Sequence, residues 1–359
     1  MKICVVGTRG FPEIQGGVEK HCEALYTAMC TQFDIKVIIF RRKPYAKTSP
    51  YYKNIQFIDL PSTKIKGIET VLHSLLATCV SIFQKPDIIH FHNIGPAMFS
   101  PLAKLFGIKV VLTYHSANYE HKKWGKFAKL LLRISEKIAL TYSDSIIFVN
   151  KFQLQKSMPK YNKKYVYIPN GIPNTQPSIK TNFIQSLGLE SKKYILAVGR
   201  ITPEKGFDIL IKAFAKINTK YKLVIAGGVE TEANYYKELK SMISPDRIIF
   251  SGYTTGENLN QLYSNAAFFI LSSRNEGFPI VLLEAMAYQL DVLVSDIPAT
   301  HLVKLEENDY FRLDDENSLI NGITYKIQNI TRREYDLSHF NWQTIAKEVY
   351  TIYNNLKIL

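Results

Sequence analysis

A chain of 359 residues, 46% hydrophobic and 21% charged, fits two cores of about 150–200 residues each and is too apolar to stay disordered. Its four cysteines, Cys4, Cys22, Cys30 and Cys79, form no C-x-x-C pair, which argues against a disulfide framework or a zinc-finger site. The net charge of +14 is one-sided, with 25 Lys and Arg against 10 Asp and Glu up to Ser178 and 20 against 21 beyond it, so the first half is expected to face an anionic membrane, a phosphorylated acceptor or a nucleic acid.

In chain order, short β-branched runs at 2–7, 34–40, 55–60, 87–92, 109–115, 145–149 and 165–169 alternate with amphipathic segments, the pattern of βαβ units on a parallel sheet. The first run stops at Gly7-Thr8-Arg9, too early for a signal peptide, so a cytoplasmic location is expected. Val18, Cys22, Leu25 and Met29 recur at helical spacing as one buried stripe. The apolar stretch 71–83 is broken by His73, Ser74, Thr78 and Ser81 and falls short of the ~18 residues of a membrane span; it reads as a packed helix. The pattern restarts with strands at 194–199, 222–227, 247–252, 267–272 and 291–295 and helices at 207–218, 233–242 and 279–288, the last with Pro279 in its first turn. A final helix is expected at 342–356. The fold class is therefore α/β, with two Rossmann-like doubly wound domains: residues 1–178, completed by the C-terminal helix 342–359, and residues 179–341.

Two segments of the second domain carry chemistry. The strand at 194–199 runs into Gly199-Arg200 and Lys205-Gly206, placing two cations at the carboxyl edge of a parallel sheet, where ligands of doubly wound folds bind. An arginine fork and a lysine there compensate a diphosphate without metal. Further on, Glu276-Gly277-Phe278-Pro279 leads into a helix carrying Glu284. Backbone N–H groups at the helix start can hold the distal phosphate, Glu276 can accept from sugar hydroxyls, and Glu284, set among leucines, needs donors that ribose hydroxyls would supply. Two surface cations beside a turn and an ion-paired helical glutamate are the structural alternatives.

Together these residues resemble retaining glycosyltransferase family 4, of the GT-B fold with two domains facing a cleft, over essentially the whole chain. Glu276 and Glu284 match its E-x7-E pair, and Gly199-Arg200 with Lys205-Gly206 its G-R-x4-K-G segment. The resemblance implies that Glu276 contacts the donor sugar, Glu284 the ribose, and Arg200 and Lys205 the pyrophosphate, with Gly277, Phe278 and Pro279 completing the donor site. It implies that Gly16 and Gly17 approach the donor phosphates and that His115 meets the donor near the reacting centre, so His115 and Glu276 are the candidate catalytic residues. The opening Gly7–Glu19 segment is similar to a subset tied to rhamnosyl transfer in bacterial surface polysaccharides.

His90 and His92 share one strand face, but no Asp, Glu or Cys nearby completes a ligand set, so packing is preferred to metal. No D-x-D triplet occurs; no metal or other cofactor is expected. For a retaining transferase, the resemblance implies front-side displacement with the leaving diphosphate as base.

Lys126, Lys129, Arg133 and Lys137 form a cationic stripe beside the apolar Phe127, Leu130, Leu131, Ile134 and Ile138, with Lys122, Lys123 and Trp124 just ahead. This helix either packs on the sheet or lies on anionic lipid, on the acceptor side. The expected partners are a nucleotide-sugar donor and a glycan or polyprenyl-diphosphate-linked acceptor, with peripheral attachment to the inner membrane face. A sugar-nucleotide epimerase, a phosphorylase or a basic nucleic-acid binder are the alternatives; no nucleic-acid motif occurs, and nucleic acid is not expected as a partner.

Overall fold

The computed structural model describes residues 1–359 except 47, 49, 64, 66, 118, 120–124, 159–164, 173, 174, 230–232, 244, 245 and 359. The chain divides into two compact units, Met1–Gly171 with His339–Leu359, and Ile172–Ser338.

Unit 1 holds strands β1 (Lys2–Val6), β2 (Lys36–Arg42), β3 (Ile55–Leu60), β4 (Ile88–His92), β5 (Lys109–Tyr114), β6 (Ser145–Phe148) and β7 (Tyr165–Tyr167), with helices α1 (Gly17–Gln32), α2 (Ile68–Phe83), α3 (Ser100–Leu105), α4 (Lys126–Tyr142) and α5 (Lys151–Ser157) between them. Every strand pairing is parallel, in the order β3-β2-β1-β4-β5-β6-β7. Helices cover both faces of such a sheet, which is why Ile3, Val5, Ile88 and Val111 are all buried. On α1 the stripe Cys22, Leu25, Met29 is fully buried.

Unit 2 repeats the plan with α6 (Asn182–Ser186), β8 (Tyr194–Val198), α7 (Phe207–Ala215), β9 (Lys222–Ala226), α8 (Ala233–Ser241), β10 (Ile248–Gly252), α9 (Gly256–Asn265), β11 (Phe268–Leu271), α10 (Ile280–Ala287), β12 (Asp291–Ser295), β13 (Tyr310–Phe311) and α11 (Glu316–Gln328). The order is β10-β9-β8-β11-β12-β13, again all parallel. The last helix, α12 (Trp342–Ile358), returns to unit 1. There Ile345, Val349, Tyr353 and Leu356 join the core beside α1, and Tyr350 stacks on Phe33 at 3.9 Å. Burial of each such aliphatic side chain contributes about 1.5–3 kcal/mol.

The chain reverses direction across the sheet between β1 and β4 in unit 1, and between β8 and β11 in unit 2. These switch points open crevices at the carboxyl ends of their strands. Gly7 follows β1 at one of them, where φ is 111° and a Cβ would lie 2.2 Å from the His92 carbonyl oxygen; only glycine fits.

Three expectations are corrected. β2 continues through Arg41 and Arg42 rather than ending at Phe40, because Arg41 donates to Asp59 at 2.7 and 2.9 Å and Arg42 pairs with Glu69 at 3.3 Å. The short β13 was not expected; it lies beside Asp309, which joins Asp291 around the buried Lys326 at 2.7 and 2.8 Å. In α2 the packing is reversed. Its polar residues His73, Ser74, Thr78 and Ser81 are buried, the hydroxyls of Thr78 and Ser81 bonding to carbonyls one turn back, while Ile68, Val71, Leu72, Leu75 and Phe83 are exposed. Small side chains let the helix sit close to its neighbours, and the large apolar ones are left outside.

Candidate active site

In unit 2 the loops after β8 and β11 meet. Gly206 sits at φ 65°, and a Cβ there would lie 2.1 Å from the Ser272 carbonyl oxygen. Ser272 Oγ donates to the Lys205 carbonyl at 2.8 Å. This contact brings Lys205, in the turn Pro203–Lys205, to Glu276: Lys205 Nζ lies 2.5 Å from Glu276 Oε1, which also accepts from Ser273 Oγ at 2.6 Å. Arg200, half-buried, follows Gly199 at the end of β8. Gly227 closes in on Gly199 so tightly that a Cβ would lie 1.7 Å from the Gly199 carbonyl oxygen.

Arg274, in the same loop as Glu276, acts as a brace. It donates to both Asp208 oxygens at 2.8 Å, to Asp314 at 2.7 Å and to the Pro203 carbonyl at 2.8 Å. These carboxylates, Asp208 foremost, raise its pKa further.

Pro279 is the N-cap residue of α10 rather than part of its first turn, and Gly277 and the buried Phe278 precede it. Proline there leaves one fewer N–H for the helix start to satisfy. Glu284 is buried on the inner face of α10, and Tyr263 donates to its Oε2 at 2.8 Å. Part of the donor requirement read from the leucine-rich surroundings is thus met by a protein hydroxyl. The Tyr263 ring stacks on Tyr288 at 5.2 Å, and burial, then the Glu284 charge, push the Tyr263 phenol well up, so it remains a donor.

In unit 1, Gly16 is the N-cap of α1 and Gly17 its first residue. A Cβ on Gly16 would meet Glu19, whose Oε1 accepts from the Arg9 backbone N–H at 3.1 Å, tying the loop down. A Cβ on Gly17 would meet nothing within 4 Å among the described residues. His115 follows β5 and is buried. Its Nε2 lies 3.0 Å from His92 Nδ1, and its ring meets that of His21 edge-on at 4.7 Å. Burial, then neighbouring His21 and His90, push the His115 pKa well below its ordinary value, as burial does for His92 and His90. His115 therefore acts as a neutral imidazole at neutral pH, donating from one nitrogen only.

His90 is held by Thr113 Oγ1 at 2.7 Å and by the hydroxyls of Tyr26 and Tyr353 at 2.8 and 2.5 Å. Packing accounts for it. His92 instead turns toward His21 and His115, and a ring nitrogen or equivalent ligand atom of each lies within 4.8 Å of the others. His21 and Tyr263 were not singled out by the sequence; Asn170 entered only through the resemblance of Asn170-Gly171 to a family turn, and Glu19 and Ser273 only as members of the Gly7–Glu19 and Glu276 segments. His21 falls four residues after Gly17 on α1, and that one-turn spacing was the available signal.

On α4, Phe127, Leu130, Leu131 and Ile134 are exposed, as are Lys126 and Arg133, with Lys129 half-buried. The apolar face of α4 is not spent on the core, where only Ser135, Ala139 and Leu140 of this helix are buried. Lys122, Lys123 and Trp124 lie outside the described residues. Leu132 of α4 and Thr70 of α2 each come within 3.9 Å of where a Gly95 Cβ would be, so the two helices with exposed apolar faces flank one turn. No helix among the described residues is long and apolar enough to cross a membrane.

Comparison with known proteins gives the same two-part division. Residues 15–176 match the family described as Glycosyltransferase Family 4, and residues 179–318 match Glycosyl transferases group 1. The chain is 27% identical to an uncharacterised glycosyltransferase of Methanocaldococcus jannaschii over 98% of both chains. It is 34% identical to the O-antigen chain mannosyltransferase RfbU of Salmonella typhimurium over 45% of this chain and 44% of that one. Its fold superimposes on sucrose-phosphate synthase from Thermosynechococcus elongatus with a TM-score of 0.85 and 21% identity, covering 99% of this chain and 98% of the other. With a family 4 domain followed by a group 1 domain, each on its own parallel Rossmann-like sheet, the chain is a glycosyltransferase of the GT-B superfamily.

Proposed function

We propose that this glycosyltransferase moves a hexosyl residue, with retention, from a nucleoside-diphosphate sugar to a glycan or polyprenyl-diphosphate-linked acceptor in bacterial surface polysaccharide synthesis, with rhamnose as the leading donor sugar. The observation that carries the reading is the Lys205–Glu276 pair at the unit 2 switch point, with Glu284 seated below it on α10. Arg200, Lys205 and the start of α10 supply positive potential for a diphosphate, so that turnover needs no divalent cation. In this reading Glu276 accepts from sugar hydroxyls, and Glu284 from ribose. With no protein nucleophile assigned, the leaving diphosphate takes the acceptor proton as the new bond forms on the face it departs from. The polysaccharide setting is supported by the relative named as an O-antigen chain mannosyltransferase. Attachment to the inner membrane face is supported by the exposed apolar residues of α4 and α2 beside Lys126, Lys129 and Arg133.

The test is a thermal-shift panel of nucleotide sugars in the presence of a chelator, followed by product analysis with the stabilising donor. A donor at 100 times its Kd stabilises by about 2.7 kcal/mol. A shift with a deoxythymidine-diphosphate-rhamnose donor and a product that keeps the donor's anomeric configuration supports the reading, and a product of inverted configuration overturns the retaining mechanism. A shift with another donor replaces rhamnose, and loss of turnover in chelator, restored by magnesium, overturns the metal-independent mechanism.

A further inference from the structure

We propose that His21, His92 and His115 form a binding site in unit 1 for a transition-metal ion of the zinc, cobalt(II) or nickel(II) class. Three separate elements supply the residues: α1 gives His21, the end of β4 gives His92, and the turn after β5 gives His115. All three are buried, and one ligand atom of each lies within 4.8 Å of the other two.

The geometry is near that of a metal site. Zinc–nitrogen bonds of ~2.0–2.1 Å in a tetrahedron set ligand nitrogens about 3.4 Å apart, and His92 Nδ1 and His115 Nε2 are 3.0 Å apart. Moving these two nitrogens apart by about 0.4 Å would bring them to that spacing. His21 is the second, independent observation. Its Nδ1 is engaged by Asn170 Oδ1 at 2.7 Å, an acceptor that keeps the proton on that nitrogen. The remaining nitrogen, Nε2, is left with a lone pair; in a side chain only 3% exposed, it is buried and has no hydrogen-bond partner among the described residues. An acceptor stranded in that way costs about 1–3 kcal/mol. A metal ion would satisfy it.

The surroundings also fit. Metal-bound imidazoles have their other nitrogen fixed by an oxygen, and here Asn170 Oδ1 meets His21 while the Tyr26 hydroxyl meets His92 Nε2 at 2.8 Å. His90 is excluded as a ligand because both its nitrogens are already engaged. Three imidazoles without a carboxylate among them select ions of intermediate softness over magnesium or calcium. Three protein ligands leave a fourth position for water or another oxygen. The ion is not a cofactor for transfer: it would occupy a nitrogen of His115, the residue that the family resemblance brings to the donor, and so compete with it.

The test reads the metal directly and stands apart from turnover. The full chain, stripped with chelator, is titrated with cobalt(II) and followed by visible absorption and calorimetry. The site predicts one equivalent bound with the intense bands of a tetrahedral centre, displaced by zinc. Asn170→Ala should weaken binding by roughly 10–100-fold, His21→Ala should abolish the bands, and His301→Ala, at an exposed histidine paired with Asp296, should leave them unchanged. Thermal melts establish that the variants fold, and Asn170→Ala carries the test if His21→Ala does not. Absence of tetrahedral bands with wild-type protein, bands that survive both His21→Ala and Asn170→Ala, or bands lost in His301→Ala would overturn the proposal.

Discussion

Lys205 Nζ and Glu276 Oε1 lie 2.5 Å apart although 71 residues separate them in the chain. The pair joins the loop after β8 to the loop after β11, and both side chains are mostly buried. Removing either partner strands the other charge in a partly desolvated setting. Lys205→Ala and Glu276→Ala should therefore each destabilise unit 2, and the double variant should lose less than the sum of the two, with a coupling of about 0.5–3 kcal/mol. Urea denaturation of the four proteins measures it; strict additivity would show that the pair is not formed in solution.

The buried histidines predict acid sensitivity. Burial pushes His21 and His73 down to about 4, the nearby Arg42 charge adding to the effect on His73. A histidine with a folded pKa below its unfolded value of ~6.5 contributes stability that is full above ~6.5 and is lost as pH falls toward the folded pKa. Each such group steepens the loss by at most about 1.4 kcal/mol per pH unit. Denaturation midpoints should fall between pH ~7 and pH ~5, and His73→Leu should flatten that fall. A midpoint independent of pH in this window, or an unchanged slope in His73→Leu, would contradict it.

Membrane attachment through α4 and α2 predicts binding to vesicles containing anionic lipid that weakens as salt rises. Lys126, Lys129 and Arg133 should contribute about 1 kcal/mol each at most. Replacing Phe127 and Leu130 with serine should weaken binding at every salt concentration without lowering thermal stability, since both are exposed. Co-sedimentation that is indifferent to salt and to these substitutions would rule the surface out.

The strands were legible because parallel strands covered on both faces read as unbroken apolar runs, and β3 and β12 have the bounds the sequence suggested. The order of the strands was not legible, since local pattern carries no record of which neighbours pair, so the switch points beside Gly7 and Gly199 appear only in the fold. Arg41 hid the end of β2 because its partner Asp59 lies on another strand. The exposed face of α2 was hidden for a related reason: periodicity shows that two faces exist, and which face turns inward depended on how closely Ser74 and Ala77 approach their neighbours. At the candidate site, Glu276 and Glu284 were visible through their spacing, whereas Tyr263 and His21 act through contacts with residues far along the chain.

The central claim is that Glu276 and Glu284 hold different parts of one donor, and calorimetric titration of the free nucleoside diphosphate into Glu276→Ala and Glu284→Ala, beside donor kinetics, tests it most directly. Glu276 should act on the sugar, so its loss should lower kcat by about 10² to 10³, or roughly 2.7–4 kcal/mol, and leave affinity for the sugar-free nucleotide near wild type. Glu284 should bind ribose in ground and transition states alike, so its loss should raise KM for the donor and weaken the free nucleotide to a similar degree. Equal effects of the two substitutions on nucleotide affinity, or normal turnover in both folded variants, would contradict the assignment.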